Sequence, residues 1–389
     1  MAGHLGPSHR ELHPGEEPPL PALAHVPLGL VIRLGRGRSD DVEPELLGLP
    51  CELGCGHERI LPVKAIRIHE EGGPDVLRYE DVPDPEPGEG EVLVRLAAAS
   101  LNHLDVWVRM GLPSVPKPRI LGADGAGVVA ALGSGVMGFE PGDRVVLNPG
   151  LEHGPLISVL GEHSDGTHCE LIAVPAAQVF PLDDALSFEV AAAFPLVYET
   201  AYRMLVTRAA VQEDEWVLIW GIGGGVATAA FEICRALGAR TIVTSGSDEK
   251  LERARAWGAD IAVNHHTGDV VAAVKEATGK GVDVVVESVG EATWARSLAA
   301  VAPAGRVAVC GATSGPNPPA ALHRFWWKQL TVYGSSMGSR EDFLGAYELV
   351  RSGRARVHID SVFPLEEARA AHERLEAGDQ LGKIVLSIR

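Results

Sequence analysis

Apolar positions in the middle of the chain alternate between two periods. Trp216 to Trp220 is an unbroken apolar run of strand length, rich in residues that suit a pleated sheet. Gly221 and Gly223 to Gly225 follow, and Val226 to Leu237 then carries apolar residues at helical spacing, with Gly238 as the stop. Arg240 to Thr244 reads as a second strand and Glu249 to Trp257 as a second helix, and Asp260 to Asn264 and Val282 to Glu287 continue the alternation. Repeated strand–helix units predict right-handed crossovers and a doubly wound parallel sheet, an α/β fold. Strand, glycine-rich turn and helix in that order form the phosphate-binding corner of a dinucleotide fold: glycine lets the backbone approach a pyrophosphate, and the N–H groups opening the helix point at it. The strict G-x-G-x-x-G spacing is absent, since Val226 stands where the third glycine would fall after Gly221 and Gly223.

On either side of this region the pattern changes. Val63 to Ile68 and Val92 to Ala98 alternate in the manner of half-buried strands, and Ile120 to Gly122, Gly127 to Leu132 and Arg144 to Leu147 add more, punctuated by glycine and proline. Short strands of this kind predict a small antiparallel β-barrel. Arg340 to Arg351 and Leu365 to Glu376 read as amphipathic helices, and Gly382 to Leu386 as a last strand. The plan expected is a β-rich domain over 63–195, a nucleotide domain over 196–336, and a return to the first domain over 337–389.

Composition narrows the function classes. At 389 residues there is room for two domains, and 46% hydrophobic with 22% charged residues is ordinary for a globular protein. A formal charge of −18 argues against a nucleic-acid surface. No apolar run approaches the ~20 residues that span a bilayer. Five scattered cysteines do not suggest a disulfide framework, and the expected setting is a reducing cytoplasm. Met1 to Pro62, proline-rich with a single apolar run of note at Val26 to Leu34, has the composition of a disordered tail, and its acidic pair and prolines do not match the pattern expected of a secretory signal. Cys51, Cys55 and His57 within it are spaced too loosely for a structural zinc site and read as free side chains.

Several motifs in fixed order resemble the medium-chain dehydrogenase/reductase superfamily, especially its zinc-independent quinone-reductase-like and enoyl-reductase-like branch. They are E-G-G-P (71–74), L-N-H-L-D-V-W-V-R-M-G (101–111), L-G-A-D-G-A-G-V-V (121–129), P-G-D-R-V (141–145), T-A-Y (200–202), V-D-V-V-V-E-S-V-G (282–290) and G-K-I-V-L (382–386). The resemblance covers Val63 to Arg389. It implies a GroES-like catalytic domain, a Rossmann domain, a cleft between them, and a homodimer or homotetramer. Relatives usually begin near Val63, and a valine codon can serve as a start, so a start at Val63 stands as the alternative to a disordered extension over 1–62.

Zinc members of the superfamily hold a catalytic ion with cysteine, histidine and a later cysteine or acid. Laid onto this chain, those positions are Asn102, Ala123 and about Leu196, while Leu104 replaces the proton-relaying hydroxyl. An amide, a methyl and an isobutyl group do not make a zinc site. The lobe that carries structural zinc in relatives is missing between Gly150 and Gly161. No metal is therefore expected, and simple alcohol dehydrogenation loses its Lewis acid.

NAD-binding folds place an acid at the end of the second strand to bind the ribose hydroxyls. Here Thr244-Ser245-Gly246-Ser247 fills that place. A carboxylate there would repel a 2′-phosphate by ~4 kcal/mol per charge pair at ~4 Å, so its absence leaves room for NADPH. Lys250 offers charge, and Ser245 or Ser247 hydrogen bonds. Quinone reductases resemble this pattern, with Gly246 and Lys250 matching and His265 standing at a tyrosine position. The cofactor-binding set expected is Gly223, Gly224, Gly225, Val226, Ser245, Gly246, Lys250, His265, Gly311 and Ser335, the last two by analogy beside the nicotinamide. The resemblance implies reduction of a small electrophilic acceptor, a quinone or an activated C=C, with Asn102 and Thr200 as catalytic candidates. Trp107 stands where many quinone reductases carry tyrosine and offers no phenolic proton. Asp105 is expected to brace its loop. Two other readings stay open: a zinc-type alcohol dehydrogenase, and an NADPH-binding scaffold or sensor without turnover.

Overall fold

The computed structural model describes residues 62–388 apart from residue 155. The 1–61 stretch, with Cys51, Cys55 and His57, lies outside the described residues. Two sheet systems carry the fold. Six parallel strands lie in the order Ile261–Asn264, Arg240–Ser245, Trp216–Ile219, Val282–Glu287, Val301–Val309 and Thr331–Gly334, joined by helices. Val217, Leu218, Val284 and Val285 are wholly buried because helices cover both faces, which is why these strands read as continuous apolar runs. This is the doubly wound Rossmann arrangement expected from the pattern.

The second system is a seven-stranded, mainly antiparallel sheet centred on Glu91–Ser100. That long strand pairs with Asp124–Leu132, with Leu171–Pro175 and with Lys383–Ser387, the last strand of the chain. A three-stranded sheet built on Val63–Ile68 closes the GroES-like unit. The last strand of the chain thus returns to pair with Glu91–Ser100, with Val385 opposite Ser100.

The helix at Arg340–Arg351 begins and ends where its pattern predicts. Ser339 and Asp342 form a capping box, and Phe343, Ala346, Leu349 and Val350 make the buried stripe. The segment read as one helix from Leu365 is instead a 3-10 turn, Leu365–Glu367, followed by the helix Ala368–Ala377. Where zinc-bearing relatives carry a lobe, a short hairpin of Gly150–His153 and Leu156–Val159 crosses over. Among the described residues no helix is long and apolar enough to cross a membrane.

Candidate active site

Strand order decides where the cleft opens. From Trp216–Ile219 the chain runs outward first to Arg240–Ser245 and then returns to Val282–Glu287 on the other side. At such a switch point the connections diverge and leave a crevice beyond the carboxyl ends of the strands. The glycine turn lies across it. Gly221 takes φ +67°, and the N–H groups of Gly223 and Gly224 donate back to its carbonyl. The helix Gly225–Leu237 then starts from Gly224 with no side-chain cap, so its first-turn N–H groups are left for a ligand. A cavity of about 910 Å³ lies over them. An added Cβ at Gly223 would stand 3.0 Å from the Gln380 carbonyl and 3.2 Å from Lys250 Nζ. An uncapped helix start with backbone this closely approached fits a dinucleotide's pyrophosphate.

The cavity gathers Asn102, Thr200, Gly223, Gly224, Gly225, Val226, Ser245, Gly246, Lys250, His265 and Gly311. Ser335 is the exception. It is buried, its N–H donates to the Val309 carbonyl, and its hydroxyl finds no partner among the described residues; the next residue, Ser336, lines the cleft instead. The strand Thr331–Gly334 ends just before this pair, and beyond that point Ser335 is buried while Ser336 is exposed. Lys250 donates its ammonium to the Gly378 carbonyl at 2.6 Å, with Arg253 and an Arg374–Asp360 pair (2.7 Å) along the same wall. Burial, then His266 and Arg296, hold the His265 imidazole below its ordinary pKa, so it faces the cavity as a neutral ring. Burial and the nearby Glu287 push the Cys310 thiol up to about 12, which leaves it no thiolate at neutral pH.

Leu104, Trp107, Val159, Leu196 and Met337 give part of the wall an apolar lining. Asn102 precedes the helix His103–Arg109, and Asp105 accepts hydrogen bonds from the N–H groups of Asn102 (2.7 Å) and Gly122 (3.0 Å), bracing this corner. The Asn102 side chain turns inward. Its Nδ2 donates to Asp124 Oδ2 at 2.9 Å, and its Oδ1 accepts from Lys383 Nζ at 2.6 Å. Lys383 also donates to Asp124 Oδ2 (3.1 Å) and the Leu101 carbonyl (2.8 Å), and Asp124 Oδ1 accepts from the Leu196 N–H (2.8 Å). Lysine and aspartate are 3% and 0% exposed.

Sequence reasoning missed Lys383, Ser336, Met337 and Gln380 as lining residues. A signal existed for the first: Lys383 opens the apolar run of the last strand, and a buried lysine needs partners.

Asn102, Ala123 and Leu196, the positions onto which the resemblance maps a catalytic zinc site, do not fit a metal. Asn102 is committed to Asp124 and Lys383, Leu196 contributes its backbone, and among the described residues no group of three or more His, Cys, Asp or Glu side chains could hold an ion.

Comparison with known proteins agrees with this architecture. Residues 88–184 match the alcohol dehydrogenase GroES-like domain, and 225–352 match the zinc-binding dehydrogenase family. A quinone oxidoreductase of Pseudomonas aeruginosa is 36% identical over 334 residues, covering 83% of this chain and 99% of that protein. A solved NAD-dependent alcohol dehydrogenase is 42% identical with a TM-score of 0.81, covering 84% of this chain and all of the other. A 2-octenoyl-CoA carboxylase reductase, solved with NADP and 2-octenoyl-CoA, is 27% identical with a TM-score of 0.78, covering 84% of this chain and 88% of its own.

Proposed function

The chain belongs to the medium-chain dehydrogenase/reductase superfamily, and from that premise we propose that it is a zinc-independent, NADPH-dependent reductase of quinones or activated C=C bonds. The observation that carries this reading is the Asn102–Lys383–Asp124 cluster at the place where an alcohol-oxidising relative would need metal ligands. Without a Lewis acid to polarise an alcohol oxygen, an acceptor already electron-poor is the fitting substrate.

When bound, the reduced nicotinamide supplies hydride. The chain's own task is to hold the reactants. Gly223 to Gly225 and the start of the helix Gly225–Leu237 receive the pyrophosphate. Lys250 lines the cavity and offers charge to a 2′-phosphate, and no acid ends the strand Arg240–Ser245, which suits that phosphate. Thr200 and Asn102 line the cavity that also holds the glycine turn and the apolar residues. Trp107, Leu104 and Met337 exclude water around an apolar acceptor, and orientation of this kind lowers a barrier by up to ~7–11 kcal/mol. Asn102 is the donor suited to an oxygen that gains negative charge. Trp107 has no phenolic proton, so solvent protonates the product.

The test follows NADPH oxidation by nicotinamide absorbance with chelator-treated protein offered quinones, enones and enoyl-CoA esters, NADH running in parallel. Turnover that survives chelation and prefers NADPH supports the proposal and identifies the acceptor class. The likeness to the NAD-dependent alcohol dehydrogenase favours a second reading, alcohol oxidation. Alcohol turnover that zinc restores would establish it in place of the first.

A further inference from the structure

We propose that Lys383 is a positioning residue that sets the Asn102 amide, so that one side-chain N–H is aimed into the cleft. The inference rests on the reading of Asn102 as the polar group that orients acceptor or nicotinamide.

An asparagine amide can be turned over, and the two orientations usually differ little. Here they differ greatly. Lys383 Nζ lies 2.6 Å from Oδ1, and the Asp124 carboxylate 2.9 Å from Nδ2. Reversal would press the NH₂ group against an ammonium and the carbonyl against a carboxylate. The ion pair therefore allows one orientation. Both contacts also draw electrons from the amide nitrogen toward its oxygen, and hydrogen bonds polarised in one sense reinforce each other. One Nδ2 hydrogen is taken by Asp124, and the other remains.

Lys383 does not itself serve the acceptor. An ammonium has three donors, and Leu101, Asn102 and Asp124 take all three. Its effect on chemistry must pass through Asn102. The same side chain runs beneath the phosphate turn, where an added Cβ at Gly225 would stand 3.1 Å from Lys383 Cδ. Cofactor loop and amide thus share one support, delivered by a residue 281 positions away in sequence.

The test combines kinetics with a direct view of the amide. In full-length protein Lys383→Met should lower kcat by roughly ten- to a hundredfold, the scale of a misplaced group, while NADPH affinity from fluorescence titration moves less than about threefold. In an Asn102→Ala background the same change should cost nothing further, because coupled residues are non-additive. Losses that multiply would overturn the proposal. Lys383→Met strands a buried carboxylate, so Lys383→Met/Asp124→Asn removes both charges. That pair should regain melting temperature without regaining kcat, and recovery of both would show a merely structural role. The chain's asparagines are Asn102, Asn148, Asn264 and Asn317, so asparagine-selective nitrogen labelling gives a sparse spectrum. The Asn102 side-chain pair should show one downfield, exchange-protected proton in the native protein, and Lys383→Met should abolish that protection. An unchanged pair would overturn the positioning role even if kcat falls. Full activity in Asn102→Ala would instead remove the reading of Asn102, leaving the spectrum to decide whether Lys383 sets the amide.

Discussion

Gly382 donates its backbone N–H to the Gly223 carbonyl at 3.1 Å, so the last strand of one sheet system hangs on the phosphate turn of the other. Gly382 adopts φ +111°, and Lys383 donates its own N–H to the His358 carbonyl at 2.8 Å. The left-handed bend lets the chain touch the turn and, one residue later, send Lys383 toward Asn102.

Gly382→Ala therefore strikes both. The new Cβ would stand 2.2 Å from the His358 carbonyl oxygen at a φ that alanine resists. A loss of more than ~1 kcal/mol in stability follows from backbone incompatibility. Chemical denaturation should show it, and weaker NADPH binding should accompany it in a fluorescence titration. Unchanged affinity would mean that the Gly223 contact does not shape the turn.

Lys250→Ala tests the choice of nucleotide. Charge-assisted hydrogen bonds are worth ~1.5–3 kcal/mol, so removing the ammonium should raise the KM for NADPH by roughly tenfold or more and leave that for NADH nearly unchanged. Equal losses for both would place Lys250's effect in its bond to the Gly378 carbonyl, a support of the loop, and not at the ribose.

Local pattern made the nucleotide sheet legible at its centre, where Trp216–Ile219, Arg240–Ser245 and Val282–Glu287 are buried almost throughout and the helix Gly225–Leu237 carries an apolar face. The glycine turn and the capped helix Arg340–Arg351 follow from chemistry within a few residues of themselves. Lys383 beside Asn102 does not. It depends on Val385 pairing with Ser100, a choice of sheet partner that no local period records. Met337 lines the cleft at φ +51°, a turn that its sequence neighbours do not announce. Ser335 shows the other limit: the analogy reached the right stretch of chain, yet its neighbour Ser336 is the serine that lines the cavity.

Glu232 predicts acid sensitivity. It is wholly buried in the helix Gly225–Leu237, where it accepts from His358 Nε2 (2.8 Å), the Arg356 N–H (3.2 Å) and Arg235 (3.0 Å). Burial pushes its pKa up, but the His358 and Arg356 hydrogen bonds and the adjoining positive charges outweigh it, leaving the carboxyl below its ordinary value. A depressed folded pKa gives stability that is present above the unfolded carboxylate pKa and lost as pH falls through the folded one. Glu232→Gln should cost about 3 kcal/mol at neutral pH, as broken buried pairs do. In denaturant titrations the gap to the native protein should close on acidification, and a gap that persists in acid would refute the ion pair.

Glu199 predicts the opposite slope. It is buried on the helix Pro195–Tyr202, one residue before Thr200, and neither carboxyl oxygen has a hydrogen-bond partner among the described residues. Burial first, then the charges of Asp124 and Asp342, hold its pKa well above the ordinary carboxylate value, and the Gly338 backbone and Arg203 offset only part of this. The folded chain thus binds a proton that the unfolded chain releases. Stability contributed at low pH declines once pH passes the unfolded value, with a slope of at most ~1.4 kcal/mol per pH unit until the folded value is reached. Glu199→Gln keeps the volume and removes the titration. Its melting temperature should match the native protein near pH 4 and exceed it at pH 8. A variant less stable at pH 8 than the native chain would show that Glu199 is ionised and paired, and that its burial is compensated.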